Sequence, residues 1–197
     1  MKILSSKKLT ITFLGGSKIQ SSNSFYSTAQ LLSKKLSLLG HHILTGGGYG
    51  IMEAGNKGAF SVSINQSKAF LCYGEKSNNY IAKKNIRYFK TFQKRKLSLL
   101  QKASIIIFFP GGLGSLNELT ELLVLMQNKK LPLKKTILFN ESFWQPLIYW
   151  LQTQIISHKL ANAKDLKCLT FSNSIEKILS IVEKESKKLQ VAYKEKL

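Results

Sequence analysis

Acidic residues are scarce in this sequence: ten Asp and Glu stand against 30 Lys and Arg in 197 residues, a formal net charge of +20. Arginine is scarcer still. Only Arg87 and Arg95 occur, so lysine carries the other 28 positive charges. A surface shaped to read nucleic acid favours arginine, whose planar fork grips phosphates and base edges in pairs of hydrogen bonds. The lysines also fall in short pairs along the chain, such as Lys34-Lys35, Lys83-Lys84 and Lys129-Lys130, instead of forming one basic block. A compositional habit explains them more simply than a polyanion groove, and single-stranded nucleic acid stays an alternative partner. The two cysteines, Cys72 and Cys168, are too few for a disulfide framework or a zinc ribbon, and His41, His42 and His158 have no ligand spacing. No metal is expected. No run approaches the ~18 apolar residues of a membrane span, and residues 1–16 lack the apolar stretch and cleavage site of a signal peptide. A cytoplasmic protein without membrane contact is the expectation.

What is present is average globular material, 44% apolar and 20% charged, in a length that suits one domain. Short apolar runs at 9–14, 42–45, 68–73, 104–109, 136–139 and 166–171 predict strands. Several are apolar throughout, as strands covered on both faces should be. Helical apolar spacing occupies roughly 24–39, 51–64, 87–102, 115–127, 143–157 and 174–189. The alternation predicts an α/β fold: a doubly wound parallel sheet with helices on both faces, in a single domain spanning 1–197. Ligands of such sheets bind beyond the carboxyl ends of the strands.

Three glycine-rich loops fall there: Gly15-Gly16-Ser17-Lys18, Gly46-Gly47-Gly48-Tyr49-Gly50 and Pro110-Gly111-Gly112-Leu113-Gly114-Ser115. Each leads into a helix, whose free N–H groups favour an anion, so phosphate is the natural ligand. Neither longer loop fits the G-x-G-x-x-G dinucleotide fingerprint, and no P-loop is present. The scarce acids are then informative. Glu53 follows the second loop, and Glu118 and Glu121 lie one helical turn apart after the third. Glu118 has a second reading, because Ser115-Leu116-Asn117-Glu118 fits a capping box that would consume both side chains at a helix start. Glu121 is alternatively a solvated helix residue, and Glu53 an acid favoured by a helix N-terminus.

The stretch from Pro110 to Glu118 resembles P-G-G-x-G-[ST]-x-x-E, and Gly46 to Ala59 resembles G-G-G-x-G-[IL]-M-E-A-x-N-x-G-A. Together they are similar to the LONELY GUY family, long labelled lysine-decarboxylase-like, over about 10–157. The resemblance implies a Rossmann-like fold, a homodimer, and hydrolysis of cytokinin riboside 5′-monophosphates or AMP to free base and ribose 5-phosphate, without a cofactor. It implies Arg95 and Glu118 as the catalytic pair. The substrate and its phosphate are then expected against Gly16, Ser17, Gly47, Gly48, Met52, Glu53, Lys96, Gly111, Gly112, Leu113, Gly114, Ser115, Asn117 and Glu121. The old decarboxylase label has no matching pyridoxal-phosphate lysine. Breaking an N-glycosidic bond builds positive charge on the ribose, which a carboxylate at Glu118 would stabilise while orienting water. Arg95 would hold the nucleotide or assist the departing base; its alternative is a surface cation in the run Lys94-Arg95-Lys96. The chain departs from the family at Asn117, often an acid, at Ser115, often Thr, and at Lys18, often Arg. Asn117 motivates a second function, non-catalytic binding of a phosphorylated ligand.

Overall fold

The computed structural model describes residues 7–194. Seven strands form one all-parallel sheet in the order β4-β3-β2-β1-β5-β6-β7: β1 Thr10–Leu14, β2 His42–Thr45, β3 Ser67–Cys72, β4 Ile86–Phe89, β5 Ile105–Phe108, β6 Lys135–Phe139 and β7 Leu169–Ser172. The helices are α1 Ser24–Leu38, α2 Ile51–Phe60, α3 Phe92–Lys102, α4 Leu113–Gln127, α5 Glu141–Trp150 and α6 Ile175–Lys194.

Side-chain alternation along the central strands sorts the core into two layers. Ile105, Ile107 and Phe109 pack with Ile11 and Phe13 under α1, α2 and α6. Ile106 and Phe108 point the other way, under α3, α4 and α5 with Leu119, Leu122 and Trp144. A strand covered on both faces has no use for a polar residue, which is why β5 reads Ile-Ile-Ile-Phe. The doubly wound, single α/β domain read from the sequence is the one observed.

Several boundaries differ from the reading. The segment 87–102 is not one helix. Ile86–Phe89 is an edge strand paired with β3, and α3 begins only at Phe92. The β-branched and aromatic run favours a strand, and Thr91 caps the helix by accepting the Lys94 N–H at 3.2 Å. The strand expected at 166–171 begins later, at Leu169, because 163–166 is a 3-10 turn closed by a capping box between Asn162 and Asp165. α2 ends at Phe60, and α5 gives way after Trp150 to a π-type turn over Leu151–Ile156.

Chain order along the sheet decides where a ligand can sit. From β1 the chain moves outward through β2, β3 and β4, then returns to β5 on the other side of β1. The loops leaving β1 and β5 therefore lead to helices on opposite faces of the sheet, α1 on one and α4 on the other, which opens a crevice at this switch point. Gly58 lets α2 pack directly on α1: a Cβ there would lie 2.2 Å from the Gln30 carbonyl oxygen, and Ser33 Oγ donates to the Gly55 carbonyl at 2.5 Å.

Candidate active site

The three glycine loops are stitched together by their own backbones. Gly16 donates its N–H to the Pro110 carbonyl at 3.0 Å, and its carbonyl accepts the Ile51 N–H at 3.1 Å. Gly50 holds φ +66°, and a Cβ there would lie 2.3 Å from the Gly16 oxygen, so only glycine allows this approach. The joined loops floor a cleft of about 740 Å³. Gly16, Ser17, Met52 and Arg95 line it together with Gly111, Gly112, Leu113, Gly114, Ser115, Asn117 and Glu118.

α4 starts at this cleft with Gly112 as N-cap, and no side chain caps it. Its first N–H groups and the positive end of its dipole are thus left for a ligand. The capping box that is the alternative reading of Ser115 and Glu118 does not form, because the helix begins at Leu113 and Ser115 already lies inside its first turn. Ser115 Oγ instead fits beneath Gly111, 2.2 Å from where a Cβ would stand. Glu118 is left half-buried in the cleft wall. Burial pushes its carboxyl up from 4.5 to about 7, against the opposing pull of the Arg95 and Lys96 cations; Glu121 adds a further push upward.

Arg95 is no surface cation. It is only 8% exposed, on the first turn of α3. Its Nη1 donates to the Gly46 carbonyl at 3.1 Å and to the Phe70 carbonyl at 3.4 Å, and its guanidinium lies 4.8 Å from the Phe92 ring centroid. Its buried Nε has no partner, and among the described residues no carboxylate lies within ion-pair distance of it. A buried cation without a contacting acid is costly unless its remaining donors are met.

Lys96 does not line the cleft. Its Nζ donates to Asn117 Oδ1 at 2.5 Å and lies 2.7 Å from Glu121 Oε2, close enough for an ion pair but not aligned as a directed hydrogen bond. Lys96, Asn117 and Glu121 therefore tie α3 to α4, and Glu121 is neither free in solvent nor in the cleft. Glu53 is also apart, in a polar pocket of about 400 Å³ with Lys57 and Tyr80. Tyr26 lines the same pocket, and burial, with the Glu53 carboxylate second, pushes its phenol up to about 12. Gly47 and Gly48 do not line the cleft either. Gly47, at φ +74°, packs on Leu71 and gives its N–H to Thr45 Oγ1 at 2.9 Å, so it has no donor to spare for phosphate.

The cleft also has members that the sequence did not single out. Phe92, Phe143, Phe25 and Asn23 complete its rim. None of the four carried a local signal in the sequence. Among the described residues no cluster of His, Cys, Asp or Glu could hold a metal ion, and no helix is long and apolar enough to cross a membrane.

Solved structures share this architecture. TM1055, a structural genomics target, is 21% identical with a TM-score of 0.64, over 89% of this chain and 99% of that one. The molybdenum cofactor binding protein of Rippkaea orientalis is 17% identical (TM-score 0.67; 90% and 97%). A molybdenum cofactor carrier protein of Chlamydomonas reinhardtii is 14% identical (TM-score 0.64; 92% and 99%). At such identities the likeness establishes the fold alone. No curated protein matches the sequence. The model of the family described as "possible lysine decarboxylase" matches residues 43–182, well over half of the sequence and the whole of both glycine motifs; the chain belongs to that lysine-decarboxylase-like, LONELY GUY-type family.

Proposed function

We propose that the cleft hydrolyses the N-glycosidic bond of a nucleoside 5′-monophosphate, with AMP and cytokinin riboside 5′-monophosphates as the candidate substrates. The carrying observation is Glu118, a carboxyl raised to about 7 beside a buried cation and one helical turn from an uncapped helix start. The 5′-phosphate would sit on the free N–H groups of α4, with Arg95 supplying the positive charge that no protein acid neutralises. Such anchoring brings the anomeric carbon towards Glu118. As the bond to the base breaks, the ribose ring becomes cationic, and the ionised carboxylate stabilises it. The same group takes a proton from the attacking water; a pKa near the working pH suits that role. Water oxygen ends on C1′, the departing base nitrogen gains a proton, and the products are free base and ribose 5-phosphate. Family membership supports this reading.

One observation favours a second reading. Where the family often has an acid, Asn117 is neutral and engaged by Lys96, and two of the similar structures are named as binders or carriers of the molybdenum cofactor. Under that reading the cleft holds a phosphorylated ligand without turning it over. Purified protein incubated with AMP, isopentenyladenosine monophosphate, CMP, GMP and UMP separates the two. Release of base and ribose 5-phosphate, followed by chromatography, is expected; binding by calorimetry without release from any of them establishes the carrier reading instead.

We also propose that the chain pairs with a second copy. Residues 142–157 hold no charged side chain in a protein of +20, and Val124, Trp150 and Leu160 are exposed around an apolar groove of about 260 Å³. Such a face lets two highly cationic copies meet with little repulsion. Sedimentation of the wild type should give a dimer that Trp150→Glu converts to monomer; a monomeric wild type removes the proposal.

A further inference from the structure

The connection from β3 to β4 is largely exposed, yet Asn78 within it is 2% exposed. Its side chain reaches under the second glycine loop. Asn78 Nδ2 lies within hydrogen-bond distance of the carbonyls of Gly47 (3.0 Å) and Gly48 (2.8 Å) and of Asn56 Oδ1 (3.1 Å), and its backbone N–H donates to the Gly47 carbonyl at 2.8 Å. Asn78 Oδ1 accepts the Tyr80 N–H at 3.1 Å. Beneath it the polar chain continues. Thr45 Oγ1 donates to Asn56 Oδ1 at 2.6 Å, and Asn56 Nδ2 donates to Ser67 Oγ at 2.9 Å. Ser67 Oγ donates in turn to the Tyr80 carbonyl at 2.6 Å. Thr45, Asn56 and Ser67 are fully buried.

A loop that needed only to be covered could rest on apolar side chains. A closed network of directed hydrogen bonds does something else: it permits one arrangement of the backbone it holds. The held backbone is the seat of Arg95. The Gly46 carbonyl accepts Arg95 Nη1, and a Cβ on Gly46 would lie 2.6 Å from that nitrogen, so guanidinium and loop are in direct contact. Any shift of residues 46–48 must move the guanidinium with it.

We infer that Asn78 is a positioning residue that fixes Arg95 in the cleft through the carbonyls of Gly46, Gly47 and Gly48. It touches no ligand itself, and it does not line the cleft. The required group is an amide: its Nδ2 hydrogens meet three acceptors while its oxygen meets a donor. An isosteric carboxylate would turn an acceptor towards three acceptors.

The effect on catalysis rests on the reading of the cleft as a nucleotide hydrolase, but the positioning itself has its own readout. Because the chain has only two arginines, [¹⁵N]arginine labelling gives two sets of guanidinium signals. Arg87, stacked over Phe70 and Phe89, serves as the internal reference, and Arg95→Lys assigns the other set. In Asn78→Asp the Arg95 signals should shift and broaden while those of Arg87 stay in place, and kcat should fall by about 10²-fold, the scale of a misplaced contact group. Asn79→Ala, at the exposed neighbour, should change neither. Unmoved Arg95 signals in folded Asn78→Asp overturn the inference. If that variant does not fold, Thr45→Val removes a hydroxyl from the same network without a new charge, and unmoved Arg95 signals there overturn it equally. Absent hydrolysis in the wild type, with Arg95 displaced in the variant, would refute the hydrolase reading and leave the positioning intact.

Discussion

Glu118→Gln should make the protein more stable at the moment it destroys the proposed activity. Burial raises the Glu118 carboxyl from 4.5 to about 7, meaning that the folded chain favours the neutral acid. At about 1.4 kcal/mol per pKa unit, this amounts to at most about 3.5 kcal/mol. The sign follows from linkage. Below pH 4.5 the acid is neutral in folded and unfolded chains alike, and its stabilising contribution is fully present. As pH rises through about 7 the unfolded chain is already ionised while the folded chain must ionise a desolvated group, and the contribution is lost. Glutamine copies the neutral acid at every pH, and among the described residues no hydrogen bond to the Glu118 carboxyl is at stake. Thermal unfolding should therefore give equal stabilities at pH 4 and a gain for Glu118→Gln at pH 8. The gain should approach about 7–14 °C, at about 2–4 °C per kcal/mol for a chain of this length. Base release from the nucleotide should fall by about 10²-fold or more. A variant equally or less stable than wild type at pH 8, or a difference that persists at pH 4, would refute the assignment of Glu118 as a desolvated acid.

Arg95→Lys should lose most substrate binding although charge is kept, because an ammonium cannot span the Gly46 and Phe70 carbonyls and a phosphate together; calorimetry with AMP checks it. Gly58→Ala should cost about 2–3 kcal/mol in chemical denaturation, since the new methyl meets the Gln30 carbonyl. Gly114→Ala has open space at its Cβ and should gain up to about 1 kcal/mol as a better helix former. His41 and His42 are both held below the usual 6.5, chiefly by burial, helped at His41 by His42 and at His42 by Lys68 and Lys8. Their contribution is present above 6.5 and lost as pH falls below it, so Glu118→Gln, freed of the opposing carboxyl, should lose stability steadily from pH 7 to pH 5. A flat profile in that variant contradicts the assignment.

Strand and helix alternation was legible because a parallel sheet covered on both faces demands uninterrupted apolar runs such as Ile105–Phe108, a local property of the chain. The edge strand Ile86–Phe89 was not, since an edge strand is half-exposed, alternates like a helix face over four residues and adjoins a real helix. Glycine motifs were legible for the same local reason: Gly50 and Gly111 stand where one loop touches another, and no other residue fits. The scarcity of acids then pointed to Glu118, and the scarcity of arginines to Arg95.

Which of the marked residues work together was decided only in three dimensions. Lys96 joins Asn117 and Glu121 between two helices, Glu53 lies with Tyr26 in a separate pocket, and Gly47 and Gly48 receive Asn78 from a loop some 30 residues away. Whether Ser115 and Glu118 close a capping box depended on where α4 begins, two residues earlier than its apolar spacing predicts. By itself the sequence determined the layers of the fold and the residue types gathered at one sheet edge, because backbone freedom and apolar periodicity are written locally. The tertiary structure alone decided which cation stays unpaired and which carboxyl is desolvated, because pairing and burial depend on neighbours brought together from distant segments.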